Sequence, residues 1–107
     1  MNERSNLPVS EQFRVVAKEW VELDKAATML EETKSAVLSQ KMAALGDMAV
    51  SKAEMTVKAS PEWEQFIRTM VDTRGQANLK KVQMEYLRMR AMEHNSENAN
   101  RRAEMRL

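Results

Sequence analysis

The chain contains no cysteine, and only two glycines and two prolines in 107 residues. Without cysteine there is no disulfide framework, no thiolate-ligated metal and no thiol nucleophile. So few Gly and Pro leave little turn chemistry for a multi-stranded sheet, which asks for a turn signal roughly every eight to twelve residues. Aromatic residues make up only 5% of the chain, so a core must be assembled chiefly from Ala, Met, Val and Leu, a helix-forming stock overall. No apolar run approaches the roughly eighteen residues that span a bilayer, and the opening MNERSNLPVSEQF lacks the apolar segment of a signal peptide. The expected location is the cytoplasm. An excess of one charge is missing as well: 17 basic residues face 16 acidic ones, a formal charge of +1. That balance argues against a strongly basic nucleic-acid arm, and leaves only local clusters to consider.

What the chain does have is helical periodicity. Residues 1–9 read as a flexible N-terminal arm, with Pro8 disfavouring helix at Leu7 and Ser10 suited to cap the first helix. Phe13, Val16, Trp20, Leu23, Ala27 and Leu30 then recur in steps of three and four, one face of a helix. Lys34 falls where that stripe asks for an apolar residue, and Val37, Leu38, Leu45, Met48 and Met55 resume it in a rotated register. Gly46–Asp47 is either a break, with Gly closing one helix and Asp capping the next, or a tolerated interruption within a single helix of about residues 10–58. In KASPEWEQF, Ser60 is placed to cap and Pro61 to take the first helical position, with Glu62 and Glu64 near the positive end of the dipole. These signals open a second long helix over about 61–105.

Its stripe is Trp63, Phe66, Met70, Thr73, Ala77, Lys80, Met84, Leu87 and Ala91, with a second apolar line through Ile67, Val71, Val82 and Met89. The expected fold is all-α: a single helical domain over 10–107, built as a long antiparallel, coiled-coil-like hairpin or as a three-helix arrangement broken near Gly46. A two-helix hairpin gives each helix one neighbour and buries little per residue, so self-association, most simply a homodimer, or a protein partner is expected.

Catalytic chemistry finds no foothold. His94 is the sole histidine, with no Ser or Cys arrangement about it. Glu31–Glu32, and Glu62 with Glu64, point about 100° and 200° apart on a helix, so neither pair converges by itself. Phosphate loops, HExxH and calcium loops are missing. No enzyme, cofactor, metal or small-molecule substrate is expected. The residues assigned to a partner interface are Trp63, Ile67, Met70, Val71, Val82, Met84 and Met89, the methionines being side chains that pack a core or adapt to a partner. The one local charge excess is Arg74, Lys80, Lys81, Arg88 and Arg90 against Glu85, in which Arg74, Lys81 and Arg88 share a face at seven-residue spacing. This stripe fits either a solvated rim facing an acidic partner or, as the alternative function, a nucleic-acid contact. Only Tyr86 offers a nearby stacking ring.

From Ser60 to Leu107 the sequence also resembles small helical accessory proteins of bacteriophages and prophages. The likeness lies in the aromatic that comes after a Ser-initiated helix start (Trp63), the Ala77–Asn78 step before basic and apolar helix residues, and the ending Arg102-Ala103-Glu104-Met105-Arg106-Leu107. It implies a cytoplasmic accessory or inhibitory factor acting on a recombination, nuclease or host-defence complex, and it carries over no site residue.

Overall fold

The computed structural model describes residues 6–106; residues 1–5 of the expected arm and the final Leu107 lie outside the described residues. Three helices succeed one another: α1 (Val9–Ala43), α2 (Val50–Lys58) and α3 (Pro61–Met105). The fold class is all-α, a long antiparallel helical hairpin, with the chain broken at Gly46 so that a short third helix joins the two long ones. At 1.5 Å per residue α1 is roughly 52 Å long and α3 roughly 67 Å.

The cap of α1 lies two residues earlier than expected. The backbone N–H groups of Glu11 and Gln12 both donate to the Pro8 carbonyl at 3.0 Å, and Gln12 Nε2 donates to the Leu7 carbonyl at 2.7 Å. Pro8 therefore occupies the capping place, and Ser10 lies inside the first turn. A proline carbonyl can open a helix as well as any other, and the missing proline N–H is not needed there.

The break has a clear backbone cause. Leu45 N–H donates to the Met42 carbonyl and Gly46 N–H to the Ala43 carbonyl, both at 3.1 Å, tightening the last turn, and Gly46 then turns out at φ +83°. That left-handed conformation costs any residue with a Cβ about 1–2 kcal/mol, which is why Gly stands there. Asp47 does not cap α2, however. Its N-cap is Ala49, which makes no side-chain cap hydrogen bond. A nine-residue helix is too short to persist alone in water, so α2 depends on packing, and it buries Ala53 and Val57 one turn apart. Met55, expected in the apolar stripe, points to solvent. α3 opens as its sequence dictates: Ser60 Oγ accepts from the Trp63 N–H at 3.2 Å and donates to the Val57 carbonyl at 2.6 Å, with Pro61 in the first turn.

The chain divides into two compact units, Met1–Glu22 with Asn78–Leu107, and Leu23–Ala77. The latter holds α2, the end of α1 and the start of α3. Its interior is Ala27, Ala53, Val57, Trp63 and Ala77, with Ala27 and Ala77 wholly shut from solvent; small side chains in such positions let helix backbones approach closely. Trp63 stacks on Phe66 with ring centroids 5.5 Å apart. The former unit buries Val16 and Leu87. Across both, every member of the α3 stripe from Trp63 to Ala91 is buried or half-buried, as the spacing requires. On α1 the charged Lys34 is exposed and Thr33 takes the inward place, its hydroxyl donating to the Met29 carbonyl at 2.7 Å. Beyond Ala91, every described residue of α3 except Asn98 is exposed.

Candidate interaction surface

Asp24, Thr28 and Glu31 recur at three- and four-residue steps and so share one face of α1. Arg74 of α3 spans all three. Its Nη1 donates to Asp24 Oδ1 at 2.7 Å, Nη2 to Glu31 Oε1 at 2.8 Å and to Thr28 Oγ1 at 3.2 Å, and Nε to Glu31 Oε2 at 2.9 Å. The pairing with Glu31 is bidentate, which a planar guanidinium supports and an ammonium does not. The hydrogen bonds from Arg74 hold the Glu31 carboxyl below its ordinary range, against a smaller opposing effect of desolvation. The same bonds, to Glu31 first and Asp24 second, push the Arg74 guanidinium above its ordinary value. In the other unit Lys80 Nζ lies 3.0 Å from Glu19 Oε2.

These contacts pair two residues of the basic stripe with α1. Arg74 and Lys80, expected as contacts for nucleic acid or an acidic partner, are held by carboxylates of α1 inside the hairpin, and a phosphate would have to displace those carboxylates. The reason is geometric: seven-residue spacing aligns Arg74 with Lys81 and Arg88, but Arg74 lies on the edge of the buried stripe, next to Thr73 and Ala77, where α1 is within reach. Lys81, Arg88 and Arg90 remain exposed. Arg88 Nη2 stands 3.9 Å from Glu85 Oε2, a loose pair at the surface. Lys81, Glu85 and Arg88 rim a shallow cleft of about 160 Å³ with Phe13, Trp20 and Met84.

The apolar candidates separate into three groups. Trp63 is buried and belongs to the core, so it is not a surface anchor; its place in the inward stripe sets it in the interior that α2 closes, and α2 exists as a separate helix only because Gly46 breaks the chain. Ile67, Met70 and Met84 are half-buried, and Ile67 and Val71 border an open groove with Lys58, Ser60 and Arg68. Val71, Val82 and Met89 are exposed.

Two residues escape the sequence-based selection. Leu79 and Tyr86 complete, with Val82 and Met89, a row at steps of three, four and three, each side chain 58–64% exposed. At 100° per residue this row lies roughly opposite the inward row Ala77, Met84, Leu87 and Ala91, buried or half-buried. The signal is present in the sequence as a second heptad pattern offset from the first, with Tyr86 a member of it as well as a stacking ring. Over residues 79–92, α3 is thus apolar on both its inner and its outer side.

Other chemistry is sparse among the described residues. No group of three or more His, Asp or Glu side chains could hold a metal ion, and no helix is long and apolar enough to cross a membrane. His94 is exposed, with Nε2 3.3 Å from Asn98 Nδ2.

The fold and surface therefore define an all-α hairpin with an apolar row on the outside of its second long helix. Comparison with protein-family models finds no match, and comparisons with curated proteins and with solved structures find none either.

Proposed function

We propose that this chain is a non-enzymatic helical interaction module that binds protein through the outer row Leu79, Val82, Tyr86 and Met89 of α3. The observation that carries the reading is the register of those four side chains. Scattered single apolar residues are ordinary on any surface, whereas a contiguous row on a helix marks a contact site. Fully burying one such side chain contributes about 1.5–3 kcal/mol, so a partner helix that covered four would gain enough to offset the cost of association. Glu85 and Arg90 flank the row on either side and supply a polar rim. The likeness of residues 60–107 to phage accessory proteins supports a recombination, nuclease or host-defence complex as the place to look for a partner.

The rival reading, nucleic-acid binding, rests on Lys81, Arg88 and Arg90, while Arg74 and Lys80 would first have to leave their α1 carboxylates. Retention from a lysate separates the two. An immobilised chain should hold a protein that is released by the double variant Val82→Asp, Met89→Asp and kept by Lys81→Ala, Arg88→Ala. Retention of nucleic acid instead, steeply weakened by salt and abolished by the second variant, would overturn the proposal.

A further inference from the structure

We propose that the occupant of the outer row is a second copy of this chain, paired parallel and in register along α3. This rests on the reading of that row as a contact site and commits it to one partner. In heptad terms Leu79 and Tyr86 fall at a, Val82 and Met89 at d, Glu85 at g and Arg90 at e. All four a and d side chains are exposed, and α3 is already ordered by the hairpin on its other side, so pairing costs no helix formation.

Register and direction are fixed by what surrounds the row. The next a and d positions are Asp72 and Gly75 before it, and Glu93 and Ser96 after it. Sliding one copy by a heptad sets Tyr86 against Leu79 or against Glu93, so only the unshifted pairing gives every apolar residue an apolar neighbour. Direction is set by charge. In a parallel pair a g residue meets the e residue five positions on in the other copy, which places Glu85 beside Arg90 of the second copy, twice by symmetry. In an antiparallel pair g faces g and e faces e, so Glu85 meets Glu85 and Arg90 meets Gln76. The charges therefore favour the parallel arrangement. Glu85 is held in its own chain only by the 3.9 Å contact with Arg88, and Arg90 is exposed, so both are positioned to exchange into such pairs. Two heptads make a patch well below the roughly 1,600 Å² of a standard interface, which implies a reversible dimer of micromolar or weaker affinity.

Analytical ultracentrifugation of the full chain over a wide concentration range tests this, with circular dichroism confirming that each surface variant keeps its helix. A monomer–dimer equilibrium is expected, weakened at least about tenfold by Val82→Asp. Glu85→Arg and Arg90→Glu should each weaken it by about fivefold, and the two together should restore it, with a dependence on salt that the wild type shares. A chain that stays monomeric at about millimolar concentration overturns the dimer, and a Glu85→Arg variant that associates as tightly as the wild type overturns the parallel arrangement, because an antiparallel pair merely exchanges one like-charge contact at position 85 for another. A monomer that still captures another protein through Val82 and Met89 sinks the homodimer alone; a monomer that captures none sinks the contact-site reading with it.

Discussion

Replacing Trp63 by alanine should cost more stability than any other single truncation in the unit Leu23–Ala77. The indole is 6% exposed and lies stacked on Phe66 at 5.5 Å. An aromatic of this kind buries about 150–250 Å², and at about 25 cal/mol per Å² the transfer contribution is roughly 4–6 kcal/mol as an upper bound. Alanine keeps part of that, while the cavity adds to the loss; Trp→Ala changes in cores accordingly cost about 3–5 kcal/mol. A domain of this size has only about 5–15 kcal/mol in all, so Trp63→Ala should fall near the folding threshold. Trp63→Phe, which keeps a ring against Phe66, should cost about 1–3 kcal/mol and remain measurable. Urea denaturation monitored by far-UV circular dichroism reads both variants. In a Trp20→Phe background, Trp63 fluorescence should be blue-shifted and poorly quenched by acrylamide. A loss under about 1 kcal/mol for Trp63→Ala, with a red, easily quenched emission, would put the indole in water and refute the core assignment.

The two glycines should respond in opposite directions. Gly46→Ala should destabilise by about 1–2 kcal/mol, because φ +83° is strained for a Cβ even though nothing crowds the site; Gly75→Ala, mid-helix and in open space, should stabilise by about 1 kcal/mol in the same thermal melts. The Arg74 clamp predicts acid sensitivity. The Glu31 carboxyl is held below its ordinary value in the folded chain, so its contribution is fully present above the unfolded carboxylate range and is lost as pH falls through the lowered folded value. Arg74→Met should therefore lower stability at neutral pH, and its difference from the parent should shrink on acidification; a difference that stays constant down to acid pH would show that the ion pairs do not act in this way.

The residues that need only local rules are the most legible. Ser60–Pro61 opens α3 where capping chemistry places its start, and the row from Trp63 to Ala91 shares one side of the helix because a three-four spacing can only make one face. Gly46 is half legible: a lone glycine inside a helical pattern is either tolerated or used, and only its φ distinguishes the two. Once it is used, α2 has to form from nine residues, and Ala53 and Val57 rather than Met55 become its inner side.

By itself, then, the sequence determined where the two long helices run and which apolar rows they carry, because hydrophobic periodicity and caps act within a turn or two of each residue. Which charges were free was decided elsewhere. Arg74 has the same spacing to Lys81 that Lys81 has to Arg88, yet only Arg74 lies across from a carboxylate, a hydroxyl and a second carboxylate on another helix. The outer row Leu79, Val82, Tyr86 and Met89 likewise became a distinct surface only when packing assigned the other apolar row to the core. An apolar pattern says that a side chain would gain by leaving water, and only the tertiary arrangement says whether this chain already provides the place.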